Sequence, residues 1–365
     1  MRSARDWLES LSPWPEEFGL GRMHALLAEL GDPQRAFPAI HVVGTNGKST
    51  ATRRAAAFLG REGLSAGAYT SPHVSGWSER IQVDGEDADH ERALERVREP
   101  AERLGATQFE VLTAAALAEF AAAGVDVGVV EAGLGGRLDA TNVLGARVVA
   151  VTNVSLDHTD VLGETREAIA AEKLAVVRTG ATVVLGEPEW EAVARAQGAA
   201  EIVHSDDVGR AAAAALLGRE LEGEVEISLP GRFDLVGEDV FAGAHNPAGV
   251  KWLVERLPRS DYTIVASILA GKDVEPMLRT LARAGRTLVA TESHNTRALT
   301  AADLAALATP FFAAVEAVPD PEDALARARE LAGDAGAVLV TGSLYLLAEV
   351  FVRPERIPWG SSASG

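Results

Sequence analysis

The stretch Ile40-His41-Val42-Val43-Gly44-Thr45-Asn46-Gly47-Lys48-Ser49-Thr50 runs from a short apolar strand through a glycine loop into an alanine-rich segment. This is the order a phosphate cradle requires. Gly44 and Gly47 would let the backbone approach phosphate oxygens. A helix starting near Lys48 would aim its free N–H groups and positive dipole end at them, and Lys48 would add a point charge. Ser49 or Thr50 would then hold a magnesium ion. The full G-x-x-x-x-G-K-[ST] pattern is not met, because Val42 stands five residues before Gly47, and a glycine turn after a strand also serves as plain strand-to-helix punctuation. Lysine usage favours the cradle: the chain has 4 Lys against 30 Arg, and one of the four lies in this loop.

The 365 residues suggest two domains of roughly 150 residues each, with apolar content sufficient for ordinary buried cores. A net charge of −19 argues against a nucleic-acid or acidic-membrane binder, since both demand a basic footprint. A polyanionic substrate must then be met by metal ions or by a few placed Arg and Lys. Without cysteine there are no disulfides or thiolate metal sites. The first residues lack a signal-peptide core and no run reaches the ~20 apolar residues of a membrane span. A cytoplasmic, monomeric enzyme is the expectation, with 361–365 read as a small polar tail.

β-Branched runs alternate with alanine-leucine runs, the signature of a parallel sheet with crossover helices. Strands are expected at 39–43, 66–69, 125–131, 147–153, 181–185, 261–267, 286–291 and 337–341. Helices are expected at 48–62, 109–123, 164–178, 206–221, 247–257, 273–284, 300–309 and 321–333. The alternation pauses near Leu229-Pro230-Gly231-Arg232-Phe233, which divides an α/β chain into lobes 1–229 and 230–360.

Other chemistry-bearing residues fall at strand ends, where open α/β sheets place their ligands. Val127-Gly128-Val129-Val130-Glu131 ends a buried strand in a carboxylate beside the loop Ala132 to Asn142, which suits a magnesium ligand near the cradle. Asp157 and His158 follow another strand; His158 reads as a metal ligand, a proton shuttle or a satisfied loop residue. Lys173 lies within a helix, where a salt-bridged surface role competes with a functional one. In Gly243-Ala244-His245-Asn246-Pro247 a helix cap accounts for Asn246 and Pro247. It does not account for the small residues before His245, which imply a close approach to the backbone.

Together these blocks, with Tyr69-Thr70-Ser71-Pro72-His73, Glu79-Arg80-Ile81, Leu156-Asp157-His158-Thr159, Glu172-Lys173, Lys272-Asp273 and Thr341-Gly342-Ser343-Leu344-Tyr345, resemble the folylpolyglutamate synthase/dihydrofolate synthase family of the Mur-ligase superfamily across nearly the whole chain. The resemblance implies an N-terminal P-loop-type ATPase lobe and a smaller C-terminal Rossmann-like lobe. It implies ATP-dependent amide ligation, in which a carboxylate of a pterin or folate acceptor is phosphorylated and L-glutamate displaces the phosphate. Ser49, Ser71 and Glu131 would surround one Mg²⁺ and His158 would face a second. Lys173 aligns with a lysine carbamylated in many relatives. Gly44 through Thr50, Arg232, His245 and Asn246 would contact nucleotide, while Asp139, Asn142 and His73 would serve the acceptor.

The chain also departs from the family pattern. Ser49-Thr50 replaces Gly-Ser, Ala242 replaces an aspartate that contacts nucleotide, and the segment between Lys173 and Pro230 is abbreviated. These departures leave room for a paralogous ligase with a non-folate acceptor, or for a non-catalytic nucleotide-binding protein, although the retained Lys48, Glu131, His158 and Lys173 speak against the latter.

Overall fold

The computed structural model describes residues 3–15 and 17–351, so the 361–365 tail lies outside the described residues. The chain divides into two compact units. The first runs to Pro72 and resumes at Trp77–Ser228; the second takes His73–Gly76 and the described residues from Leu229 to Phe351.

The first unit contains β1 Ala39–Val43, β2 Ala66–Tyr69, β3 Ile81–Val83, β4 Glu86–Asp87, β5 Val127–Glu131, β6 Val148–Val151, β7 Thr182–Leu185 and β8 Glu201–His204. They form one sheet in the order β4-β3-β2-β5-β1-β6-β7-β8. From β2 to β8 every pairing is parallel, and β3 and β4 add an antiparallel edge. All eight expected strands, here and in the second unit, end within two residues of their expected limits because their apolar runs are buried on both faces, as in β1, buried at all five positions. Edge strands β4 and β8, half exposed and mixed in polarity, carried no such signal.

The register matters for chemistry. Val42 of β1 lies opposite Glu131 of β5, and Val43 opposite Val151 of β6. Three strand ends therefore deliver Gly44, Glu131 and Asn153 to one edge. β1 is followed in the chain by β2 on one side, while β6 lies on the other, which makes this edge a switch point of the kind where α/β sheets bind ligands.

Helix Lys48–Arg61 begins where expected, with Gly47 in the left-handed region at φ 80° and no side chain capping its first turn. The helix expected at 164–178 is Arg166–Leu174, and a further short helix, Thr159–Leu162, precedes it. Gly163 separates them at φ 109°, a backbone conformation that helix continuation does not allow. Helix Val208–Leu217 ends at Gly218, also left-handed, and packs on Lys48–Arg61 so closely that a Cβ on Gly209 would stand 2.8 Å from the Ala51 carbonyl. Two apolar clusters fill the faces of the sheet beside β1, one with Ile40, Val42, Phe58 and Leu59, the other with Val43, Val149, Ile169 and Leu174.

The second unit has β9 Arg232–Val236, β10 Asp239–Ala242, β11 Thr263–Ala266, β12 Thr287–Ala290, β13 Ala314–Ala317 and β14 Val338–Thr341, in the order β13-β12-β11-β14-β10-β9. Only β9 is antiparallel, pairing with β10 as a hairpin. Val74, from His73–Gly76, is 4% exposed and joins the core of this unit with Phe241, Leu344 and Leu347. No helix among the described residues is long and apolar enough to cross a membrane.

Candidate active site

The loop after β1 is held by the loop after β6. Thr45 N–H donates to the Asn153 carbonyl at 2.8 Å. The Asn153 side chain accepts from Asn46 N–H at 3.0 Å and donates to the Asn46 carbonyl at 2.9 Å. Thr45 and Ser155 exchange hydroxyl and amide bonds at 3.3 and 3.0 Å. The two glycines of the loop turn out to have different reasons. Gly44 is glycine because Thr152 Oγ1 would lie 1.9 Å from its Cβ, so the close approach there is made by protein rather than by a phosphate. Gly47 meets nothing within 4 Å and stands exposed at the helix N-terminus, where an anion has room to sit against uncapped amides.

Three charged side chains converge on this loop. Glu131 is 1% exposed; one carboxylate oxygen accepts the Ser71 amide at 3.0 Å and the other stands 4.0 Å from Lys48 Nζ. Lys48 also donates to the Thr45 carbonyl at 3.2 Å. Lys173 is buried and donates to the Gly44 carbonyl at 2.8 Å. Burial, helped by the neighbouring Lys48 charge, pushes the Lys173 ammonium down to about 7, against the pull of Asp157, Asp139 and Glu172. A lysine poised there holds both its charged and its neutral form near pH 7.

His158 caps Thr159–Leu162 in a left-handed conformation at φ 51°, and its amide donates to the Asp157 carboxylate at 3.0 Å. Its ring is 35% exposed and 3.9 Å from the same carboxylate. Ser49 is 4% exposed and Thr50 half-buried, so the two hydroxyls of the helix start differ in access.

In the loop 133–142 the polar side chains are spent on the loop itself. Asp139, 6% exposed, accepts from Leu134 N–H at 2.8 Å, from Thr141 N–H at 3.0 Å and from the Thr141 hydroxyl. Burial raises its carboxyl above the usual range. Asn142 donates to the Arg137 carbonyl and accepts from Arg178, each at 2.8 Å. Thr141 also meets His41 at 2.8 Å, an imidazole that burial and Arg178 push down to about 3. Asp139 and Asn142, expected at the acceptor, hold the shape of this loop. That loop packs on the lysine helix: a Cβ on Gly136 would lie 2.5 Å from the Lys173 carbonyl.

In the second unit, Asn246 Oδ1 accepts from Gly249 N–H at 2.8 Å and so caps Pro247–Val254. Its side-chain oxygen makes that cap bond. The close approach at Gly243 is made by Leu344, whose Cδ2 would lie 2.1 Å from a Cβ there, and by the Gly231 carbonyl, which accepts the Gly243 amide at 2.8 Å. The small residues therefore serve packing. His245 Nδ1 is 2.9 Å from the Gly243 carbonyl, which requires a proton on that nitrogen and leaves Nε2 as the basic one. Arg232 opens β9 opposite Ala242, which is 3% exposed in an apolar cluster. His73 belongs with this unit.

Comparison with known proteins matches these two sets of residues to two consecutive domains. The Mur ligase middle domain matches residues 42–235 and the Mur ligase glutamate ligase domain matches 231–344. A dihydrofolate synthase/folylpolyglutamate synthase of Escherichia coli is 33% identical over 320 residues, 73% of this chain and 76% of the relative. The chain belongs to the Mur ligase family, in its folylpolyglutamate synthase/dihydrofolate synthase branch. Among solved structures, a Mycobacterium tuberculosis folylpolyglutamate synthase complexed with ADP superposes with a TM-score of 0.87 at 28% identity, covering 94% of this chain and 96% of that one. A bifunctional synthase of Yersinia pestis complexed with AMPPNP and Mn ion gives 0.82 at 28%, covering 96% and 97%.

For a Mur ligase the residues present fit a divalent ion. Among the described residues no three His, Asp or Glu side chains gather into a metal cage. Mg²⁺ does not ask for one: it takes one or two carboxylates and completes its shell with water and substrate phosphates. The buried Glu131 at the mouth of the cradle, with the Ser49 hydroxyl on the adjoining helix, is such a partial set. Asn153 is the functional residue that sequence reasoning passed over. It was visible in Val151-Thr152-Asn153, but only the β1–β6 pairing shows that it clamps the cradle.

Proposed function

We propose that this chain is an ATP-dependent acid–amino-acid ligase that joins L-glutamate to the carboxylate of a pterin-bearing acceptor, dihydropteroate or a reduced folate. The observation that carries the reading is the convergence of Lys48, Glu131 and Lys173 on a cradle with an open helix N-terminus, in a chain matched along both lobes by Mur ligase domains. The cytoplasm, with its ATP and folates, is the compartment that suits it.

In this reading the nucleotide phosphates lie against the amides of Gly47, Lys48 and Ser49, and Lys48 neutralises charge on the transferring phosphoryl group. An acceptor carboxylate oxygen attacks the γ-phosphorus, the bond to ADP breaks, and an acyl phosphate forms. The amine of L-glutamate then attacks the acyl carbon, phosphate departs with its C–O bond, and an amide remains. Glu131, Ser49 and Ser71 would hold one Mg²⁺ and His158 would serve a second, and the bound ions would supply charge neutralisation at the phosphates. The neutral Lys173 amine is suited to take up CO₂ as a carbamate, which would convert a cation into an oxygen donor. Arg232 and His245 Nε2 are assigned to the nucleotide phosphates or the reacting carboxylate, and His73, Asp139 and Asn142 to acceptor binding, the last two by shaping their loop.

The test is phosphate release with Mg²⁺-ATP and L-glutamate, comparing dihydropteroate, tetrahydrofolate and no acceptor, with mass spectrometry of products. Acceptor-dependent release with a glutamyl adduct is expected. ATP hydrolysis with neither adduct would transfer the activity to another carboxylate acceptor, the reading that Ala242 favours. Absence of turnover with every carboxylate would leave a nucleotide-binding protein.

A further inference from the structure

Arg53 is 1% exposed, among the largest fully buried side chains of the protein. It lies on the helix Lys48–Arg61, one turn after Ser49 and on the same face. Its Nη2 donates to Thr70 Oγ1 at 3.1 Å and to the Glu79 carbonyl. Those acceptors mark the two ends of one loop, which is also closed at its base by Thr70 N–H donating to the Arg80 carbonyl at 2.9 Å. The residue after Thr70 is Ser71, whose amide holds one oxygen of Glu131 while the other stands 4.0 Å from Lys48 Nζ.

A buried guanidinium carries a large desolvation cost that an apolar side chain at the same place would avoid. Both bonds leave from one guanidinium nitrogen, so Thr70 and Glu79 are tied together at a single buried point. The position therefore calls for a reason beyond filling space. We propose that Arg53 is a positioning residue for the metal–nucleotide centre: by tying both ends of the Thr70–Arg80 loop to the helix that carries Lys48 and Ser49, it keeps the Ser71 amide on Glu131 and so holds that carboxylate in place beside the cradle. With the tie cut, Glu131 would be free to turn away from the metal position, and the metal carboxylate would be lost while Lys48 stays on the phosphate helix. The inference rests on the reading of Glu131 as a metal ligand.

The experiment uses the full-length protein, a fluorescent N-methylanthraniloyl ADP, and Mg²⁺ titrated against its binding, with thermal melting alongside. In Arg53→Met the Mg²⁺ concentration for half-maximal effect should rise about tenfold, the scale of one lost hydrogen bond to a charged group, while metal-free nucleotide binding changes by less than about twofold. Arg53→Lys should recover only part of the shift. Thr70→Val, which removes one acceptor and leaves the arginine, should shift the same midpoint in the same direction by a smaller factor. A folded Arg53→Met with an unchanged midpoint, or equal losses with and without Mg²⁺, overturns the proposal; if that variant does not fold, an unchanged midpoint in Thr70→Val overturns it. Wild-type protein whose nucleotide binding ignores Mg²⁺ would instead remove the underlying reading of Glu131.

Discussion

Lys173 shows how much a single side chain depends on its surroundings. In the sequence it is one of only four lysines and lies inside an ordinary amphipathic helix, so that scarcity and the family resemblance were the hints of use. Burial against the Gly44 carbonyl and beside Lys48 moves its folded pKa from 10.5 to about 7. Between about pH 7 and 10.5 the unfolded chain therefore binds more protons than the folded one, so this group makes stability rise with pH across that window and imposes its full cost below it. Lys173→Met in CO₂-free buffer is expected to be more stable than wild type below pH 7, by on the order of a few kcal/mol, with the gap narrowing toward pH 10; urea denaturation at several pH values measures it. Activity should go the other way. Lys173→Ala is expected to lose turnover and regain part of it with short-chain carboxylates, read as phosphate release, and absence of rescue would count against a carbamate. Lys48→Ala is expected to abolish turnover without unfolding the protein, since Lys48 bonds only the loop that carries it and a carboxylate 4.0 Å away. Asn153→Ala, which removes both clamping bonds on Asn46, should weaken nucleotide binding by up to about thirtyfold by calorimetry if each bond is worth about 1 kcal/mol.

The elements nearest the site are set by close contacts that only small residues permit. Helix Val208–Leu217 lies where the family pattern is abbreviated, yet it buttresses the phosphate helix through Gly209 and through Arg54, which holds the Asp207 cap at 2.6 Å. Gly209→Val is expected to force these helices apart and to lower stability by about 1–3 kcal/mol, the usual cost of overpacking, read as a fall in melting temperature that nucleotide partly restores. The parallel strands were legible because both of their faces are buried and their apolar runs are unbroken. The edge strands β8 and β13, and the hairpin β9–β10, were not, since an exposed flank dilutes the pattern. The short helix Thr159–Leu162, ended by Gly163 at φ 109°, also passed unread, and His158 stands at its N-terminal boundary.

At the scale of the molecule, each unit has its own apolar clusters, and the second borrows Val74 from the first half of the chain. Two such cores are expected to melt in more than one step by calorimetry. Val74→Ala should lower the transition of the second unit, by about 1–2 kcal/mol for two methyl groups, and leave the first unchanged; a shift confined to the other transition would contradict the assignment. The amino-acid order alone determined that this is a two-lobed α/β protein with a phosphate loop at Gly44–Thr50, because strand, glycine turn and helix are local signals carried by adjacent residues. It also carried the family resemblance, since the motif blocks keep their order along the chain. Only the tertiary structure decided which glycine is open to an anion, that Leu344 rather than a ligand presses on Gly243, that Asn246 is a cap, and that Arg53, Ser71, Glu131 and Lys48 form one connected set. Those are facts of strand register and burial, which bring together residues up to a hundred positions apart, and no neighbouring residue in the chain encodes them.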